Sequence, residues 1–358
     1  MSARFRVTID GQVVEAAAGK RVLEVARGVG VEIPTLCDDP RLAPMGSCRM
    51  CLVEVAGQRR LQPSCALMVE EGMEVITDSE RVLRHRKTLV AMYRADLPCD
   101  AQGLPQTRGA KANQLRTLIA THGDNDMRLP MVESPRAGRE DANPYIHFDP
   151  ALCIACARCV RYCDEVEAVS AITLAGRGAA TTIATANDRS LMDTTCELCG
   201  GCIDTCPTGA LSEKQGLHLK AAATPAVRTT CNFCGVGCQL DIHVSDGQVV
   251  QVTSPEPGTT VNDGNLCVKG RFSFEFIHHS ERLTEPLVRG PDGELHRTSW
   301  EEAIERAAQG LLGVKERHGA DGLGFVSSSR CTGEENYLMQ KLSRAAFGTN
   351  NCHQCAAT

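Results

Sequence analysis

Two stretches decide how this chain is read: CIACARCVRYC at 153–163 and CELCGGCIDTCP at 196–207. Each spaces four cysteines as C-x2-C-x2-C-x3-C, with Asp164 after the first run and Pro207 after the second. Three thiolates close together on a tight loop can hold three corners of an iron–sulfur cubane. The fourth, at the start of a helix, points away and serves the other cubane. The pattern therefore joins Cys153, Cys156 and Cys159 with Cys206, and Cys196, Cys199 and Cys202 with Cys163. The repetition itself marks a duplicated unit. Zinc could not use four cysteines in so short a run twice over without leaving thiolates idle. Between the runs, AITLAGRGAATTIAT (171–185) is strand-like with a glycine turn. Ahead of them, NPYIHFDP (143–150) reads as an edge strand leading into the first run, with His147 an ordinary strand residue.

Composition agrees with a metal-organised chain. It has 358 residues, enough for two or three domains, yet only 4% are aromatic and Trp300 is the sole tryptophan. Twenty cysteines supply a different organising principle. The start, MSARFRVTID, has no apolar core of the secretory kind, and nothing reaches the 18 apolar residues of a membrane span. The expectation is a cytoplasmic chain whose thiols stay free and bind metal rather than forming disulfides. Net charge is −6 without a Lys/Arg block, which argues against nucleic acid as a partner.

At the front, RFRVTIDGQVVE (4–15) alternates apolar residues about Asp10-Gly11, a hairpin signal, and KRVLEVARGVG (20–30) gives a short helix closed by glycines. Cys37, Cys48, Cys51 and Cys65 follow as C-x10-C-x2-C-x13-C, with Gly46 and Ser47 leaving room for backbone N–H groups near the sulfurs. One C-x2-C knuckle is poor for zinc and suited to a [2Fe–2S] cluster. The block resembles the ferredoxin-like N-terminal domain of the large iron–sulfur subunit of respiratory complex I. Formate dehydrogenases and iron-only hydrogenases share it. The resemblance implies a [2Fe–2S] β-grasp domain over 1–78. A helical linker region is expected over 79–140. There the related families place a cluster held by one histidine and three cysteines. Only Cys99, with His85 and His122, is present here, so that cluster is expected to be lost.

The tandem block, 141–220, resembles a two-cluster ferredoxin. After the Pro/Ala linker AAATPAV (221–227), Cys231, Cys234, Cys238 and Cys267 give C-x2-C-x3-C-x28-C. Taken alone this could be a zinc ribbon. The run CNFCGVGC…GNLCVKGRFSFEFIHHSERLTEPLVR resembles the N-terminal [4Fe–4S] domain of molybdenum or tungsten bis-pterin oxidoreductases, and among them formate dehydrogenases. That resemblance assigns 225–283 to such a domain and gives Lys269, two residues past Cys267, a relay role between cluster and pterin. From 284 onward, a helix at 298–319, a buried strand GLGFVSSS and a second helix at 332–348 imply the start of an α/β domain. The resemblance makes this the docking place of a pterin guanine dinucleotide, with Arg330, Cys331, Glu334 and Asn336 at the strand end. Cys331 is read as a small buried residue rather than a ligand.

GTNNCHQCAAT (348–358) falls where related formate dehydrogenases carry C-A-x-x-[Cys or selenocysteine]-His, so position 359 is expected to be that metal-ligand position. The fold class expected is a multidomain α+β chain. The resemblance implies the N-terminal portion of a formate dehydrogenase α subunit, inactive by itself. It would hold one [2Fe–2S], three [4Fe–4S] and, in full length, a Mo or W bis(molybdopterin guanine dinucleotide). Its partner would be a flavin- and NAD-binding iron–sulfur subunit, or a ferredoxin. A stand-alone electron-transfer subunit of a hydrogenase or NADH dehydrogenase complex is the alternative. A complex I subunit proper is set aside on the eight-cysteine tandem block.

Overall fold

The computed structural model describes residues 3–106, 113–123, 127, 129–130, 134–136, 140–217 and 226–355. Most of the linker 221–227 and the last three residues lie outside them, as do parts of 79–140. The chain divides into two compact units, Met1–Ala226 with Asn265–Val268, and Val227–Gly264 with Lys269–Thr358.

The first unit opens with a hairpin of β1 (Arg4–Ile9) and β2 (Gln12–Ala17). Asp10 and Gly11 both adopt positive φ, as a two-residue turn between twisted strands requires. Helix α1 (Val22–Gly28) buries Val22, Leu23 and Ala26, the side of its short apolar pattern. Then come β3 (Leu52–Val55), β4 (Gln62–Pro63) and β5 (Glu74–Ile76). The five strands form one sheet in the order β2-β1-β5-β3-β4, with β1 parallel to β5 and the other described pairings antiparallel. That mixed sheet with its helix is the expected β-grasp. Its core joins Val7, Ile9, Leu23, Val53 and Val75 to the thiol-bearing Cys51 and Cys65.

Helix α2 (Glu80–Asp96) begins where Ser79 accepts a hydrogen bond from the Val82 amide, and α3 (Gln114–His122) where Asn113 accepts from Arg116. Their apolar faces close over Cys37 and Cys48 in a second core of Leu36, Met50, Val90, Leu97, Leu115 and Ile119. The ferredoxin block follows. β6 (Ile146–Phe148) leads into the first cysteine run and the short α4 (Arg158–Arg161). The hairpin β7 (Thr173–Ala175) and β8 (Thr182–Ala184) stands where the glycine turn predicted one. The short α5 (Gly201–Thr205) carries the second run, and β9 (Leu211–Glu213) returns to pair antiparallel with β6.

In the second unit β10 (Ala226–Thr230), β11 (Gln239–Ser245) and β12 (Gln248–Thr253) form a three-stranded sheet, with β10 starting at the unit boundary. Then come α6 (Val268–Phe272), the hairpin β13 (Leu287–Arg289) with β14 (Leu295–Arg297), and the long α7 (Trp300–His318) capped by Ser299. β15 (Phe325–Ser328), α8 (Gly333–Lys341) and β16 (Cys352–Cys355) complete it, with β15 and β16 parallel. β15 corrects the expectation of a buried strand. Phe325 is buried but Val326 is 67% exposed, because β15 belongs to a two-stranded sheet with one covered face.

Candidate metal centres

The two ferredoxin runs share one backbone design. Ala155 and Ala157 take positive φ in the first run, and Leu198 and Gly200 take it at the same places in the second. The left-handed residues curl each loop so that amides face sulfur. Ala155 N donates to Cys153 Sγ at 3.3 Å, and Leu198 N donates to Cys196 Sγ at 3.4 Å. Gly201 N donates to Cys199 Sγ at 3.5 Å, and Ala171 N to Cys163 Sγ at 3.3 Å. Non-glycine residues at positive φ cost energy that the surroundings must offset, and such strain collects at functional loops.

The cavities sort the eight thiols. Cys153, Cys156, Cys159 and Cys206 line one hollow together with Pro207 and Phe148. Cys163, Cys196, Cys199 and Cys202 line a second. This is the crossed division that the spacing implies, with the fourth cysteine of each run turned toward the other's loop. Three thiols of the first hollow are poor acids as they stand, and burial raises Cys153. Burial pushes Cys156 up to about 12 and raises Cys159 well above the usual thiol range. Four sulfurs so placed need a cationic core to hold them as thiolates, and the amides aimed at them suit the anionic sulfurs of a cluster.

In the β-grasp unit Cys37, Cys48, Cys51 and Cys65 are all buried. Cys37 lies in hydrogen-bond contact with Cys48 and Cys65, and Cys51 with Cys65. Those contacts draw the Cys37 and Cys51 thiols down and push Cys65 up. Among the described residues, no three His, Cys, Asp or Glu side chains could hold a single metal ion as placed. His85 and Cys99 are engaged elsewhere: His85 Nε2 meets Arg49 O at 3.2 Å, and Cys99 Sγ donates to Leu97 O at 3.4 Å.

A buried polar latch ties the two cluster regions of this unit together. Asp39, 2% exposed, accepts from Arg41 Nε at 3.0 Å and Nη2 at 2.9 Å, from Arg158 Nη2 at 3.3 Å and from Thr205 Oγ1 at 2.8 Å. Burial alone would raise its carboxyl, but Arg41 and Thr205 outweigh that and hold it well below the ordinary carboxylate range. Arg158 continues to Gln114 at 2.8 Å, and Arg41 stacks over the Tyr162 ring at 4.8 Å. The Tyr162 hydroxyl lies in hydrogen-bond contact with Glu167 and Asn265, while Arg161 donates to the Cys37 carbonyl and Glu165 accepts from Ala43 N at 2.7 Å. The partners lie beside cluster-type cysteines: Asp39 near Cys37, Arg158 before Cys159, Tyr162 before Cys163 and Thr205 before Cys206. Sequence inspection passed over the latch because its members are scattered. A signal was present: where the first run has Arg158, the second has Gly201 at the matching place. A Cβ on Gly201 would come within 1.9 Å of Tyr162 Cε1.

In the second unit, Cys231, Cys234 and Cys238 sit on the turn between β10 and β11, closed by Cys231 N donating to Cys238 O at 2.7 Å. Phe233 packs edge-on against Phe276 at 5.9 Å. Cys267 is exposed and belongs to the segment Asn265–Val268 grouped with the first unit. Lys269 is exposed on α6. The turn also approaches the end of β15: a Cβ on Gly235 would stand 3.6 Å from Ser329 O. Beyond β15, Asn336 Nδ2 donates to Ser328 O at 3.3 Å and Thr332 O at 3.0 Å, holding the strand-to-helix turn. Arg330 and Glu334 are exposed there. Cys331 is exposed too, which corrects its reading as a buried residue: its amide turns back to Ser328 O at 3.1 Å and leaves the thiol in solvent. The chain-end expectation at 355–359 lies outside the described side chains.

Comparison with known proteins fits this order of centres. Residues 2–80 match the 2Fe-2S iron-sulfur cluster binding domain, and 143–212 the ferredoxin-like domain of NADH-quinone oxidoreductase subunit 3. Residues 224–279 match the molybdopterin oxidoreductase Fe4S4 domain, and 282–358 the molybdopterin oxidoreductase family. The chain is 36% identical over 96% of its length to the NADPH-Fe(3+) oxidoreductase subunit alpha of Geobacter sulfurreducens, and covers 39% of that protein. It is 37% identical over 97% of its length to an NADH-quinone oxidoreductase subunit of Rhizobium meliloti, covering 40%. A putative formate dehydrogenase of Staphylococcus aureus is 28% identical over 99% of the chain, which covers 39% of it. The chain thus spans about two fifths of the length of these curated relatives. Among solved structures, a chain of the NAD+-reducing [NiFe]-hydrogenase in the H2-reduced state is 33% identical with a TM-score of 0.50, covering 61% of this chain and 91% of that one.

Setting aside a complex I-type subunit on the tandem block does not hold, because that block itself matches the NADH-quinone oxidoreductase domain. Cysteine spacing fixes the chemistry of a loop, not the complex it serves. No helix among the described residues is long and apolar enough to cross a membrane. Two-iron, ferredoxin-like and four-iron domains are thus set ahead of a molybdopterin oxidoreductase domain in this chain.

Proposed function

We propose that this chain is the single-electron conduit between a pterin-bound metal and an NAD(P)-linked partner subunit. Cys37, Cys48, Cys51 and Cys65 would hold a [2Fe–2S] cluster. The two crossed sets of the ferredoxin block would each hold a [4Fe–4S] cluster, and Cys231, Cys234, Cys238 and Cys267 a third. Such clusters supply one-electron carriers with no bond made or broken in the protein. The chain's own residues exclude water, aim amides at sulfur and keep the loops in register. The observation that carries this reading is the division of eight ferredoxin thiols into two hollows of four. Lys269, Arg330, Cys331, Glu334 and Asn336 remain candidates for contacts on the pterin side. The partner reading draws on relatives named as subunits of NADH and NADPH oxidoreductases, and on the NAD+-reducing hydrogenase.

For the reaction at the pterin metal we propose formate oxidation to carbon dioxide, supported by the putative formate dehydrogenases that align with nearly the whole chain. A second reading, oxidation of NAD(P)H with electrons flowing toward the pterin side, is favoured by the higher identity to the NADPH-Fe(3+) oxidoreductase subunit. Anaerobic full-length protein with its partner separates the two. Reduction of the clusters by formate, followed by EPR, supports the first. Reduction by NAD(P)H with no response to formate supports the second and refutes formate as substrate.

A further inference from the structure

Helix α2 carries a cation with no hydrogen-bonding account of its own. Arg86 is 3% exposed, and its Nε and Nη2 have no hydrogen-bond partner among the described residues. Val82, Arg86 and Val90 lie four residues apart, so they share the helix face that is buried. Val90 packs with Cys37 and Cys48, and the neighbouring His85 meets Arg49 O inside the Cys48–Cys51 loop. That face of α2 is therefore laid against the [2Fe–2S] cysteines. Titratable groups facing Arg86 are Cys51, Asp78, Asp10 and, from α3, His122, and Asp10 is already bonded by Thr77 N at 2.7 Å and Thr77 Oγ1 at 2.6 Å. Burial disfavours the charged guanidinium, which leaves it in want of a nearby group of opposite sign.

We propose that Arg86 is the buried countercharge of the [2Fe–2S] cluster and sets its reduction potential. Two ferric ions, two sulfides and four thiolates sum to a doubly negative group. One electron from the neighbouring relay makes it triply negative, with no proton taken up and no bond broken. A fixed cation stabilises the triply charged form more than the doubly charged one, so it raises the potential. An arginine suits the place because its delocalised charge is more weakly hydrated than an ammonium and so costs less to bury. The inference rests on the [2Fe–2S] assignment above.

The test is an EPR-monitored redox titration of the whole protein as wild type, Arg86→Met and Arg86→Lys, with iron content measured for each. A wild type with no two-iron signal would refute the cluster assignment itself. Given that signal, R86M should cut the reduced-to-oxidised ratio at fixed potential about tenfold, a downward shift of about 59 mV for one electron. R86K should recover most of it. R86M unable to assemble the cluster beside a fully loaded R86K also supports the charge role. An unshifted R86M, or equal shifts or equal cluster loss in both variants, would overturn the proposal.

Discussion

Replacing Asp39 with alanine should open the junction between the β-grasp loop and the ferredoxin block while sparing the rest of the unit. The carboxylate is 2% exposed and holds Arg41 and Arg158, whose side chains are 6% and 7% exposed. Truncation strands two buried guanidinium groups, and breaking a buried pair in this way costs about 3–5 kcal/mol. If loop 37–43 and α4 open together as a local unit, that cost appears as faster amide exchange there, about a hundredfold to a few thousandfold. Asp39→Asn keeps an acceptor for Thr205 but loses the charge, so about 2 kcal/mol is expected. Hydrogen exchange read by mass spectrometry on peptides covering 37–43 and 157–167 gives the answer, with the β1–β2 hairpin as internal reference. Exchange unchanged at the junction would mean that the latch carries no weight. An equal rise in the hairpin would mean that Asp39 acts on the whole fold rather than on the junction.

Other consequences are equally open to test. Cys206→Ser should remove the cluster of Cys153, Cys156 and Cys159, and Cys163→Ser that of the second run, each with a loss of about four irons and one EPR component. If the C206S protein instead lost the second run's cluster, the crossed division would be wrong. Gly201→Ala forces a methyl into the Tyr162 ring, which is 1% exposed and cannot swing clear, so about 3 kcal/mol of destabilisation and iron loss are expected. Adding Tyr162→Leu should restore most of the iron, and a fully loaded G201A alone would contradict the packing. Gly235→Ala needs no such rescue: its Cβ would stand in ordinary contact with Ser329 O, so iron content should match the wild type.

Much of the architecture was legible from periodicity and spacing. The Asp10-Gly11 turn, the short helix α1 and the β7–β8 hairpin follow from local rules that act over a few residues. The crossed grouping of the ferredoxin thiols was legible for the same reason: a fixed spacing on a tight loop leaves few ways to face a cubane. Non-local features were not. Asp39 meets Arg158 and Thr205 across more than a hundred residues, and one sequence offers no signal for such a pairing. Arg86 reads as an ordinary charge in an amphipathic helix until burial is known. β16 was missed because CHQC (352–355) has none of the β-branched or aromatic residues that announce a strand; its pairing with β15 decides. The match of the tandem block to an NADH-quinone oxidoreductase domain was not legible from spacing, because loop chemistry travels between assemblies.

The central claim is most directly tested by counting iron and acid-labile sulfide in anaerobically prepared protein, with Mössbauer and EPR spectra of oxidised and reduced samples. One two-iron and three four-iron clusters require about 14 irons per chain and one two-iron spectrum among the four-iron ones. Zinc in place of iron, or centres that accept no electron from dithionite, would contradict it.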